Sequence, residues 1–382
     1  MEASVKLSVG IGLLVCLGCL SFGGQKTASA QADARLHALA LEQQGQAAEA
    51  EQVWHEILAV HPRNAEALAH LGLLEARQDH YDTAITYYRK ALAINPTLPG
   101  LQIDLGLALF KSGRLRAAAQ TFQSALRADP GNQRLTILTG MAYYGAGSYA
   151  EAIPYLKKAA QNDPQSLPLR LTLAHSCLWA KQFPCVLNVY RQILSINAES
   201  PEADMLAGEA LDATGNTTGA IEQFRAAERR NPNEPNVHFG LGFLLWKEKQ
   251  YPEAEKEFHA ELDNNPQQAQ ARAYLGDTLV RQNDYAAAEP ELKQSIAGDP
   301  AFALPYLDLG IIYAASGRND DAIHAFQKTI ALDPEDTDSH WRLARLYQSM
   351  GRREEARAEF AKVGAIKQQQ AKNPHQNVLD IR

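Results

Sequence analysis

Eleven histidines and four cysteines are the side chains of this 382-residue chain best suited to bind a metal or attack a substrate. The histidines are scattered, and no two stand four apart, the spacing at which one helix presents a pair of metal ligands. His55-Glu56 and His259-Ala260-Glu261 read as solvated helix faces. Gly240-Leu241-Gly242 lies inside a helical pattern with no strand before it, which argues against a dinucleotide loop. The acidic run Asp333-Pro334-Glu335-Asp336-Thr337-Asp338 lacks the glycine a calcium loop needs, so it reads as a helix-capping turn. Asn216-Thr217-Thr218 matches a glycan acceptor in a polar turn, one short motif with little weight. No catalytic residue, metal or cofactor is expected from these patterns, and no small-molecule substrate follows.

The elements that would have to position any such chemistry are all of one kind. From Gln31 to Gln370 a 34-residue unit recurs ten times without insertion or deletion. The units begin at Gln31, Ala65, Pro99, Gln133, Leu167, Pro201, Pro235, Ala269, Ala303 and Thr337 (31–64, 65–98, 99–132, 133–166, 167–200, 201–234, 235–268, 269–302, 303–336 and 337–370). Position 8 of the unit is always small, as in Ala38, Gly72, Gly106 and Gly310. Position 20 is alanine in every unit except the fifth, where Val186 stands. Apolar residues at positions 4, 7 and 8 share one helical stripe, and positions 20, 24 and 27 share another. Between them falls a break, often glycine at position 15 (Gly45, Gly113, Gly147, Gly215, Gly317, Gly351), suited to leaving a helix. Proline ends most units at position 32, and Pro184 and Pro252 stand where a second helix should start. Small residues at positions 8 and 20 predict the crossing point of the two helices, with bulky residues such as Trp54, Tyr88 and Phe258 at position 24 beside it. A lone pair cannot bury its stripe, so successive pairs must stack into a quasi-one-dimensional array.

These residues resemble the tetratricopeptide repeat (TPR) family over 340 of 382 residues. The ninth unit follows the family pattern nearly throughout, with Tyr306, Leu309, Gly310, Tyr313, Ala322, Phe326 and Pro334, and Thr329 as its departure. The fifth departs most, with Cys177, Val186 and Ala198 at positions 11, 20 and 32. The resemblance implies an all-α fold, an α-solenoid of helical hairpins forming a right-handed superhelix. It also implies a concave groove, lined by positions 5, 9 and 12, that binds peptides or partner proteins. On that face the third unit offers Ile103, Leu107 and Phe110, and the fourth offers Ile137, Met141 and Tyr144. The fifth has Leu171, His175 and Leu178 beside Trp179, and the seventh has Phe239, Phe243 and Trp246. The eighth carries Asp277 and Arg281, and the tenth Trp341, Arg342 and Arg345. A helix apolar on two stripes is either buried by its neighbours or holds a partner, and both readings stand. The Lys and Asn with which family members clamp a chaperone's carboxylate are missing from positions 5 and 9.

The ends and the charge bound the setting. Lys6, an apolar run from Leu7 to Phe22, and Ala28-Ser29-Ala30 describe a signal peptide (1–30) cleaved after Ala30, where the first unit begins. The apolar run is short of the roughly 20 residues that span a bilayer. Export to the periplasm or exterior of a bacterial cell is therefore expected, the alternative being an uncleaved or lipidated anchor, the one route by which a membrane would be engaged. The tail 371–382 is polar and holds Pro374. A net charge of −7 with no basic stripe argues against nucleic acid. Cleavage would leave Cys177 and Cys185, which a hairpin brings together, so either they form a disulfide or Cys177 is a small buried core residue. The whole reads as a non-catalytic scaffold or adaptor that binds a protein or peptide. The alternatives are a regulatory subunit of a separate enzyme or a membrane-tethered assembly factor.

Overall fold

The computed structural model describes residues 21–372, and among them every regular element is a helix. Of the expected signal segment 1–30, residues 1–20 lie outside the described residues, as does the tail beyond Lys372. The chain divides into two units, one ending at Thr172 and one beginning at Leu173. In the first, the hairpins are α1 (Ser21–Gln43) with α2 (Ala47–Val60), α3 (Ala65–Arg77) with α4 (Tyr81–Ile94), α5 (Leu101–Lys111) with α6 (Leu115–Ala128), and α7 (Gln133–Gly145) with α8 (Tyr149–Asn162). Helix α9 (Leu167–Trp179) straddles the division. The second unit continues with α10 (Phe183–Leu194), α11 (Pro201–Ala213), α12 (Thr217–Arg230), α13 (Val237–Lys247) and α14 (Tyr251–Asn264). It is completed by α15 (Ala269–Arg281), α16 (Tyr285–Gly298), α17 (Leu304–Ala315), α18 (Asn319–Leu332), α19 (Thr337–Ser349) and α20 (Arg353–Lys372). Each 34-residue unit thus holds one hairpin, its first helix odd-numbered and its second even-numbered, with α1 beginning before the first unit and α20 ending past the last, and within each body successive hairpins stack as a TPR-type α-solenoid. No described helix is long and apolar enough to cross a membrane.

The small position 8 has a sharper cause than a simple crossing point. A Cβ placed on Gly106 would lie 2.4 Å from the Phe122 ring, and one on Gly310 would lie 2.5 Å from the Phe326 ring. Position 24 of the second helix is therefore seated directly on position 8 of the first. Phe122, Phe258 and Trp54 are fully buried there, and each brings the large apolar area of an aromatic ring. Position 20 is equally closed, with Ala50, Ala84, Ala118 and Val186 wholly inaccessible. The break between helices is as regular. Gly45, Gly113, Gly147, Gly215, Gly317 and Gly351 all have φ between 69° and 85°. Where glycine is missing from position 15, Asp79, Lys181, Lys249 and Asn283 still adopt φ of 57° to 65°. The turn dictates the conformation, and the side chains that lack glycine's freedom accept its cost. Pro184 and Pro252 do sit in the first turn of α10 and α14.

Candidate functional site

The first-helix face carries residues that the repeat does not require, so it is the place to look for individual chemistry. In the body that ends at Thr172, Ile103, Leu107 and Phe110 on α5 and Ile137, Met141 and Tyr144 on α7 are all half-buried. Ile137 packs against Ala159, Ala160 and Leu169, so part of its surface is taken by neighbouring helices. Tyr144 stands edge-on to Tyr149 with ring centres 5.9 Å apart. Leu171 is half-buried on α9, whereas Leu178 on the same helix is buried, a place that withdraws it from the accessible face. Trp179, its neighbour in sequence, turns outward instead and is 48% exposed. His175 lies between the two worlds, its ring 5.2 Å from that of Trp179 and its Nε2 2.8 Å from Glu202 Oε1.

The seventh-unit aromatics are drawn into a cluster rather than left as a row. Phe239, Phe243 and Trp246 on α13 lie 6.0, 5.3 and 5.2 Å from the ring of Tyr274 on α15. Phe258 and Phe302 extend the same group around Tyr274. Much of this stripe therefore packs against the next hairpin, as ring edges on ring faces favour. The indole N–H of Trp246 donates to Asp277 Oδ2 at 2.5 Å, and Arg281 Nε donates to the same oxygen at 2.7 Å. Asp277 is only 2% exposed and Asp308 1%. Burial, and then the negative charge of Asp277, push the Asp308 carboxyl well above the ordinary carboxylate range, against the pull of Arg281 and Arg342. Asp308 Oδ2 has no hydrogen-bond donor facing it. On α19, Trp341 is 46% exposed with the Arg345 guanidinium 5.7 Å from its ring centre. Arg342 donates to Asp338 at 2.8 Å, one turn earlier.

The polar motifs of the loops resolve as caps. Asp336 accepts from the amides of Asp338 and Ser339 at the start of α19, and Asp333 Oδ1 accepts from Glu335 N. Asn216 accepts from Gly219 N at the start of α12. Cys177 and Cys185 are joined in a disulfide, their Cα atoms 5.8 Å apart across the α9–α10 turn.

Two constellations were not visible from spacing. One is the Asp277–Asp308 pair, whose members come from different hairpins. The other gathers Glu228 of α12, His238 of α13 and Glu257 of α14, whose ligand atoms lie within 4.8 Å of one another. A clue was present in register: polar pairs recur between positions 4 and 23 of a unit. His238 Nδ1 lies 2.7 Å from Glu257 Oε2, Arg272 Nη1 donates to Glu291 at 2.7 Å, and His340 Nδ1 lies 2.5 Å from Glu359 Oε2.

Comparison with known proteins matches two tetratricopeptide repeat family models to the chain. One covers residues 35–99, 103–166, 187–235 and 239–301, and the other 143–210, 279–328 and 313–373. Curated proteins return no match. Among solved structures, MamA 41-end from Desulfovibrio magneticus RS-1 is 25% identical, with 44% of this chain and 96% of that one covered at a TM-score of 0.41. YrrB, titled a TPR protein with an unusual peptide-binding site, is 19% identical, covering 50% and 98% at a TM-score of 0.40. The APC/C hetero-tetramer Cut9-Hcn1 is 13% identical but covers 91% and 90% at a TM-score of 0.50, a likeness of fold.

Proposed function

The chain belongs to the tetratricopeptide repeat family, and from that premise we propose that it is a non-catalytic scaffold holding a peptide or partner protein on its first-helix face. The observation that carries the reading is a pair of tryptophans. Trp179 and Trp341 are the aromatic residues left exposed among the large apolar side chains of the described residues, and both belong to first helices. Exposing an indole wastes apolar area that folding would otherwise bury, and tryptophan is the residue most enriched at binding hot spots. Each stands beside groups that suit a mixed apolar and polar contact, His175 in one case and Arg345 in the other. In the body that ends at Thr172, the half-buried residues Ile103, Leu107, Phe110, Met141 and Tyr144 offer apolar surface on first helices of their own.

Export across a bacterial inner membrane, with cleavage after Ala30, belongs to the same proposal. The Lys6, apolar run and Ala28-Ser29-Ala30 pattern supports it, and the Cys177–Cys185 bond fits an oxidising compartment. Placing a photo-crosslinking residue at Trp179 or Trp341, and at exposed second-helix positions such as Lys293 or His324 as controls, tests the binding face in cells. A discrete adduct is expected from the first-helix positions. Adducts only from the control positions would contradict the proposal, and N-terminal sequencing of the same material checks the cleavage.

A further inference from the structure

At the junction of α12, α13 and α14 the repeat breaks its own rule twice. Position 28, the last turn of the second helix, is apolar in most units, as in Leu126, Leu194, Leu262, Ile296 and Ile330, but is Glu228 in the sixth. Position 27 is small or apolar elsewhere and is Glu261 in the seventh, which is 2% exposed and so not on the solvated face expected from the sequence. Both substitutions replace apolar contact with carboxylate at a place where burying charge is costly unless it is paired. Both converge on His238, itself 7% exposed and 2.7 Å from Glu257, which is 6% exposed. Glu261 is occupied, since its Oε2 accepts the Phe239 amide at 3.1 Å, and burial pushes its carboxyl above the usual range. Glu228 and Glu257 remain as two carboxylates facing one imidazole. Lys256 Nζ reaches Glu257 only at 4.0 Å and is largely in solvent, so it compensates little.

We propose that Glu228, His238 and Glu257 form a binding site for a divalent transition-metal cation of the zinc type. The donor set of one imidazole nitrogen and two carboxylate oxygens suits such an ion, and two carboxylates with a neutral imidazole cancel a double positive charge. The three ligand atoms already lie within 4.8 Å of one another. Ligands about 2.0–2.2 Å from a tetrahedral zinc are roughly 3.3 Å apart, so small rotations of the glutamates close the shell. Glu228 is half-buried and marks the side from which an ion and a fourth, water ligand enter. Because Glu228 belongs to one hairpin and the other two ligands to the next, the ion would clamp successive units together.

The molecule contains its own control. His340 and Glu359 repeat the His238–Glu257 pair in the tenth unit, but Ile330 stands where Glu228 would be. The experiment is calorimetric titration of Zn2+ into the full chain after removal of metal with a chelator, with the absorption spectrum of a Co2+-loaded sample as the second readout. Wild type is expected to bind one Zn2+ with a micromolar or tighter dissociation constant and to melt several degrees higher with it. Glu228→Leu, which restores the ordinary repeat residue, should weaken binding at least tenfold and abolish the thermal shift, while His340→Ala leaves both unchanged. Glu228→Gln serves if the leucine variant fails to fold. Absence of Zn2+ binding by wild type, or equal affinity in the Glu228 variant, overturns the site.

Discussion

The seat of position 24 on position 8 and the face of positions 5, 9 and 12 lie a few residues apart on the same helices, yet they behave oppositely. In the seat, chemistry repeats: glycine under an aromatic ring in the second, third, sixth, seventh and ninth units, each with no room for a Cβ. On the face nothing repeats. One unit offers Phe239, Phe243 and Trp246, the next Asp277 and Arg281, and the tenth Trp341 and Arg345. Architecture is thus carried by the positions that recur, and in the proposed function partner specificity falls to those that do not.

The contrast is open to attack at several depths. Phe122→Ala removes a fully buried ring from the seat and is expected to cost about 3–5 kcal/mol in chemical denaturation. Gly242→Leu attacks the seat from the other side, since even a Cβ would lie 2.9 Å from the Phe258 ring, and should cost about 1–3 kcal/mol. Hydrogen exchange should localise that damage to α13, α14 and the helices that touch them, whereas uniform loss would break the picture of semi-independent hairpins.

Changes to the buried Asp277–Asp308 pair, which lies beneath the face, should instead be tolerated or even stabilising. Asp308→Asn keeps the shape, supplies an amide donor to Asp277, and should raise stability at pH 7 by about 1–2 kcal/mol. Its pH dependence has a definite sign. Because the folded Asp308 carboxyl is held above its unfolded value, its contribution to stability is fully present below the ordinary carboxylate range and is lost as pH rises through the folded value. The wild-type curve should therefore fall across that window, and the Asn variant should be flatter there. The smallest effect belongs to the turn: Lys249→Gly relieves a side chain held at φ 60° and should stabilise by about 0.5–1 kcal/mol in thermal melts.

How far the sequence discloses this molecule follows the same division. The hairpin, its breaks and its packing are legible because each signal is sampled ten times, so that Val186 or Lys249 cannot hide the rule. The stripe of candidate binding residues is legible as a stripe, but not its fate. That Leu178 is buried while Trp179 is 48% exposed depends on small rotations of α9 that spacing does not encode. From spacing alone Phe243 fits a groove or a packing residue equally, and in the fold Tyr274 is the neighbour it packs on. The Asp277–Asp308 and Glu228–His238–Glu257 groups escaped because their members come from different helices, where no fixed interval in the chain announces them. The Cys177–Cys185 bond was legible as one of two alternatives, since a sequence separation of 8 across a hairpin brings the helix ends together without deciding whether the sulfurs join.

The central claim is that the face binds while the seat folds, and one paired measurement tests it most directly. Trp179→Ala and Trp341→Ala, made together, should leave the melting temperature within about 2 °C of wild type, because exposed side chains contribute little to folding. Affinity for the partner identified by crosslinking should fall at least tenfold. A double variant that binds as wild type does, or that loses its partner only in proportion to unfolding, would contradict the account.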